Sequence, residues 1–182
     1  ITLVSIGSCS ITASQAGNAT VAAAAPVVRA FSVTKGANTI TFPALANTAF
    51  GNIPPVPAAT ASSGLAVTYA STTAPVCTAT GAGIITLVTV GTCSITASQA
   101  GNANFVAAAP VVRAFSVTPA ATATTVASSL NPSAFGQAVT FTARVRSTTG
   151  FAAPTGAVTI TDTTTGAVLG TPALAAVTQA KL

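Results

Sequence analysis

The chain has 182 residues, half of them hydrophobic and only 4% charged: four Arg and two Lys stand against a single acid, Asp162, with no His, Trp, Met or Glu. That inventory provides no acid–base pair near neutral pH, no base beside a Ser or Cys nucleophile and no second carboxylate for glycoside cleavage, so the chain is not expected to be an enzyme. Three Cys without His or close Cys pairs do not suit zinc, and one carboxylate does not suit calcium, so no metal and no other cofactor is expected.

The formal net charge of +5 is scattered, and only Arg144 and Arg146 stand close together. A solvated strand face accounts for them better than a phosphate site, and nucleic acid is not an expected partner. Mean hydropathy of +0.73 comes mostly from Ala and Val interrupted by Thr, Ser, Pro and Gly. No run approaches the ~20 apolar residues of a spanning helix, so no membrane span is expected in this segment.

In chain order, the first feature is a repeat. Residues 1–34 reappear at 85–118 with 28 of 34 aligned positions identical, including CSITASQAGNA and APVVRAFSVT. A period of 84 residues exceeds the ~20–50 of solenoid units and matches one small domain per repeat. Residues 1–34 thus read as the C-terminal part of a repeat, 35–118 as a complete repeat, and 119–182 as the N-terminal part of a second type of domain. In this reading the domains at both ends are incomplete.

Alternation with period two, Thr/Val/Ile-rich runs and Gly, Pro and Asn punctuation predict an all-β chain. Within 35–118 the predicted strands are Thr39–Phe42, Ala58–Ser62, Leu65–Ser71, Val76–Thr80, Ile84–Val90, Cys93–Gln99 and Val111–Thr118. Seven short strands fit a β-sandwich. Leu65, Val67 and Tyr69 share one face, expected to be core, and Ala66, Thr68 and Ala70 share the other. After Thr118, Val139, Phe141, Ala143 and Val145 alternate with Thr140, Thr142, Arg144 and Arg146, which places both arginines toward water. Strands are also expected at Ala157–Asp162 and Ala167–Leu169, with a turn at Thr163–Gly166. The junctions at Thr34–Lys35 and Thr118–Pro119 are short, which predicts a stiff array.

Arg113 breaks the pattern, since strict alternation puts it on the face of Phe115 and Val117; Arg29 repeats the conflict beside Phe31 and Val33. A bulge or an edge-covering Arg is the ordinary explanation. The alternative is that Arg29 and Arg113 touch a neighbouring domain or subunit.

Cys77 and Cys93 lie sixteen positions apart on neighbouring predicted strands, a placement compatible with a bridge. A disulfide is the expectation and a pair of buried free thiols the alternative; the bridge would imply an oxidising, extracytoplasmic location. Cys9 is the equivalent of Cys93 and reads as an orphan awaiting an external partner.

The stretch FGNIPPVPAATASSGLAVTYASTTAPVCT (50–78), followed by GTCSITASQAGNANFVAAAPVVRAFSVT (91–118), resembles an immunoglobulin-like repeat found in tandem in very large secreted or surface-anchored bacterial proteins. The resemblance implies a Cys after the third strand and a second in the G-T-C-x-I-T-A motif, matched here by Cys77 and Cys93, and it extends to residues 1–34. NPSAFGQAVTFTARV (131–145) with PTGAVTITD (154–162) resembles a second, group-3-type bacterial immunoglobulin-like domain.

These resemblances imply tandem immunoglobulin-like sandwiches of about seven strands and an extracellular or cell-surface role in adhesion, display or filament building. The leading expectation is a structural array forming a stalk, fibre or matrix filament. In its sharper version, residues 119–182 of one copy are completed by residues 1–34 of the next, which makes an open head-to-tail polymer. The alternative is a spacer or ligand-binding segment of a large bacterial adhesin. Expected partners are copies of the chain or adjacent repeats of the same polypeptide, with a cell-surface or matrix ligand under the adhesin reading.

Overall fold

The computed structural model describes residues 1–149, 153–174 and the strand backbone at 179–181, and contains strands but no helix among them. The strands in chain order are β1 (Gly7–Gln15), β2 (Ala24–Val33), β3 (Ile40–Thr41), β4 (Thr48–Ala49), β5 (Thr60–Ala61), β6 (Thr68–Ser71), β7 (Cys77–Ala79) and β8 (Ile85–Leu87). They continue with β9 (Gly91–Gln99), β10 (Ala108–Thr118), β11 (Thr122–Ser128), β12 (Phe141–Ser147), β13 (Ile160–Thr161), β14 (Val168–Gly170) and β15 (Gln179–Lys181). The protein is all-β, built from several small sheets.

All seven strands expected in 35–118 have a counterpart, several of them shorter. The Leu65–Ser71 run pairs only from Thr68, because Gly64 turns the chain at positive φ and the segment enters the ladder late. Its alternation nonetheless holds: Leu65, Val67 and Tyr69 are half-buried while Ala66, Thr68 and Ala70 are exposed. Three strands were not expected, β4, β11 and β15. β4 is a two-residue parallel pairing of Thr48 and Ala49 with Val117 and Thr118, too short to carry a periodic signal. All seven residues of β11 are exposed, so no apolar stripe marks it, and its ladder to β12 is a backbone feature.

The chain divides into two compact units, residues 1–43, 57–69 and 96–112 in one and 44–56, 70–95 and 113–182 in the other. One four-stranded sheet has the order β4-β10-β9-β6.

In the first unit, β1 and β2 form an antiparallel ribbon and β3 pairs with β5. The interior holds Phe42, Ala97 and Ala108, with Phe42 edge-on to Tyr69 at 5.9 Å between ring centroids. Two amides are buried there and satisfy each other: Asn38 Nδ2 donates to Gln99 Oε1 at 2.6 Å, which also accepts from the Gly101 amide at 2.7 Å. Asn38 Oδ1 in turn accepts from the Ser63 amide at 3.3 Å. Pairing of this kind removes the desolvation penalty that an unpaired buried amide would carry.

In the second unit, β7 pairs with β8, β13 with β14, and β11, β12 and β15 form one sheet. Its buried residues include Cys77, Ile85, Cys93, Ile95, Phe115 and Val117, and further along Ala143, Val145 and Ile160. Arg144 and Arg146 are exposed, as their alternation with Ala143 and Val145 requires. The turn after β13 is fixed by Asp162, whose carboxylate accepts the Thr164 amide at 2.8 Å and the Thr165 hydroxyl at 2.7 Å.

Candidate functional site

The repeated segment folds the same way twice. In both copies a turn joins the two long strands, and in both an Asn at its head accepts two backbone amides. Asn18 Oδ1 takes those of Thr20 and Val21, and Asn102 Oδ1 takes those of Asn104 and Phe105, all between 2.8 and 2.9 Å. The Gly before each Asn has φ of 71° (Gly17) or 73° (Gly101), and a Cβ there would come within 2.5 Å of the Val21 or Phe105 carbonyl oxygen. Local sequence therefore sets the turn without help from the surroundings.

The surroundings differ. In β9 and β10, one face presents Cys93, Ile95, Ala97 and Gln99 with Phe115 and Val117, every one of them buried. The matching face of β1 and β2 presents Cys9, Ile11, Ala13 and Gln15 with Phe31 and Val33. Here Ile11 is 42% exposed where Ile95 is 0%, and Phe31 is 42% exposed where Phe115 is 3%. Cys9 and Val33 are half-buried, and Ala13 and Gln15 are exposed. The β1–β2 ribbon thus carries a core-type face open to solvent, with Val27, Val28 and the apolar run Ile1, Leu3, Val4 and Ile6 exposed as well. This face is the candidate site.

Cys77 and Cys93 form a disulfide with Cα atoms 5.7 Å apart. The Ser71 and Thr73 hydroxyls lie 3.4 and 3.5 Å from Cys77 Sγ. Cys9 is a free thiol, opposite Phe31 in the β1–β2 ladder. It lines a trough of about 220 Å³ with Leu3, Ile6 and Val33 among its walls. Arg29 is exposed opposite Ile11, its guanidinium donating to the Val28 carbonyl at 3.2 Å. Arg113 is likewise exposed, although Phe115 and Val117 further along the strand are buried, so the alternating face leaves the interior before it reaches the arginine. The structure thus brings together Cys77 with Cys93, and Cys9 with the Phe31 face. The Asn38–Gln99 pair was missed from sequence; the signal was the phase of Gln99, which falls in register with Cys93, Ile95 and Ala97.

Among the described residues no three His, Cys, Asp or Glu side chains cluster as a metal site, and no helix is long and apolar enough to cross a membrane. An apolar cleft of the second unit, about 620 Å³ and lined by Val126, Phe141, Ile160 and Leu169, has Asp162 as the one charged group among its lining residues. Hydrogen bonds from the Thr165 side chain and the Thr164 backbone hold that exposed carboxyl below its ordinary range. A lowered folded-state value adds stability above the unfolded value of about 3.9 and loses it as pH falls through the folded value. The denaturation midpoint is therefore expected to stay flat from about pH 5 to 8 and to fall only in stronger acid. A pH series of urea unfolding curves checks this, and a slope between pH 5 and 8 would contradict it.

No family model, no curated protein and no solved structure matches the chain.

Proposed function

We propose that the chain is an extracellular structural protein, an array of immunoglobulin-like sandwich repeats that forms a bacterial surface stalk, fibre or matrix filament by strand complementation. The observation that carries this reading is the paired environment of one sequence: the ribbon face that is buried at β9–β10 is open at β1–β2. A largely apolar face of this kind, with Arg29 opposite Ile11, suits an interaction surface, and one that is interior in its own twin suits completion by neighbouring strands. Contacts between unlike surfaces give rings where the rotation closes and an open polymer where it does not, and a stalk or fibre is the second case. The disulfide belongs to an oxidising environment, consistent with an extracellular or bacterial surface location. A chain almost without acids, bases or metal ligands suits a mechanical role better than a chemical one.

Sedimentation velocity and negative-stain electron microscopy of the full chain over a wide concentration range test the proposal. Filaments or concentration-dependent oligomers with a regular axial repeat are expected. A strictly monomeric chain at every concentration would overturn assembly through this face.

A further inference from the structure

We propose that Asn18 is a site of N-linked glycosylation, its carboxamide nitrogen accepting a sugar on the exposed turn between β1 and β2. This adds to the structural reading above and is independent of assembly.

Sequence singles out the residue. The chain has seven Asn, and only Asn18 heads the acceptor pattern of Asn, any residue but Pro, then Ser or Thr, as Asn18-Ala19-Thr20. Asn131-Pro132-Ser133 is disqualified by its proline. Asn102, at the equivalent place in the second copy of the repeat, is followed by Ala103 and Asn104. One chain thus carries the acceptor pattern and, 84 positions on, a matching turn that lacks it.

The turn supplies access and geometry. Asn18 Oδ1 accepts three hydrogen bonds, from the Thr20 amide at 2.9 Å, the Thr20 hydroxyl at 3.0 Å and the Val21 amide at 2.9 Å. All three fall on the oxygen, and Nδ2 has no hydrogen-bond partner among the described residues. Asn18, Ala19 and Thr20 are exposed. That exposure does not come from the open ribbon face, because Asn102, Ala103 and Asn104 are exposed as well, on the ribbon whose face is buried. A sugar on this turn is therefore compatible with covering of the β1–β2 face.

The step transfers a glycosyl group from a glycosyl phosphate donor, nucleotide- or lipid-linked. The bond from the anomeric carbon to the phosphate oxygen breaks, and a bond from that carbon to Asn18 Nδ2 forms. The phosphate leaves with the bonding electron pair, and the proton lost from Nδ2 passes to a base of the transferring enzyme. A carboxamide nitrogen is a weak nucleophile because its lone pair is shared with the carbonyl. Negative charge grows on Oδ1 as Nδ2 gives up its proton, and three donors aimed at that oxygen stabilise it. In the second turn Asn102 Oδ1 has two backbone donors, the amides of Asn104 and Phe105, and no hydroxyl. The product is bulky and solubilising, on a chain of which only 4% is charged.

The test is mass spectrometry of the full chain isolated from its native source. Trypsin separates the two turns, since cleavage after Arg29, Lys35 and Arg113 leaves Asn18 in the peptide ending at Arg29 and Asn102 in 36–113. Fragmentation that preserves side-chain modifications then locates the added mass. A glycan on Asn18 and none on Asn102 is the expected result. In chains produced by the same source, Thr20→Asn should abolish the modification, Thr20→Ser should keep it, and Asn104→Thr should add a second glycan at Asn102. The first and third of these exchange residues between turns that already fold alike, so loss of folding does not confuse the result. Unmodified Asn18 in the native chain would overturn the inference. So would a mass that survives Thr20→Asn or maps only to Ser and Thr hydroxyls, which would make the sugar O-linked.

Discussion

Ile95→Ala is expected to destabilise the protein by about 2–5 kcal/mol, while Ile11→Ala, the same substitution in the same local sequence, is expected to change it by less than about 0.5 kcal/mol. Both residues sit in a CSITASQ strand followed by the same Asn-headed turn, so intrinsic propensity and unfolded-state effects nearly cancel between them. What differs is burial. Ile95 is fully enclosed, so truncation forfeits its transfer free energy and leaves a cavity; Ile11 is 42% exposed, and its neighbours can relax into the space. Urea unfolding of both variants under conditions where the chain is monomeric makes the comparison. Similar losses at the two positions would mean that the β1–β2 face is covered in solution by the chain itself. If the chain assembles through this face, Ile11→Ala should instead weaken assembly, a loss visible only in the concentration dependence.

The strand content was legible because β-branched residues alternate with polar ones and turn residues bound them. Cys93, Ile95, Ala97 and Gln99 illustrate the strength of that signal, since every second residue is buried. Its limit is also visible in one sequence. The pattern that reads as core in β9 reads as core in β1, yet only the first is covered; periodicity states which face seeks burial and not whether anything reaches it. Backbone pairings without an apolar stripe, β4 and β11, were illegible for the converse reason. Arg113 shows a third case, where the alternation that buries Phe115 and Val117 does not continue to the arginine two residues before. Asn38 was hidden because a lone Asn in a Gly- and Thr-rich stretch ordinarily reads as a turn residue. Only the fold brings it to Gln99, sixty-one positions away.

Replacing both members of the disulfide, as Cys77→Ala with Cys93→Ala, is expected to cost about 3 kcal/mol, the loop-closure value for a bridge spanning about 15 residues. The two cysteines are sixteen positions apart, on strands that contribute fully buried sulfurs to the interior. Removing both avoids leaving one reactive thiol beside Cys9, which would confuse lost stability with disulfide exchange. The bridge acts chiefly by restricting the unfolded chain, so the double variant should keep its β-rich circular dichroism while its thermal midpoint drops. Reduction of the unmodified protein should produce a similar shift, and Cys9→Ser should produce none, because that thiol closes no loop. An unchanged midpoint in the double variant would show that packing around Ile95 and Phe115 holds the domain without the crosslink. A shift from Cys9→Ser in freshly purified material would instead show that Cys9 is already bonded to another molecule, and mass spectrometry of the non-reduced protein would then identify what completes the ribbon.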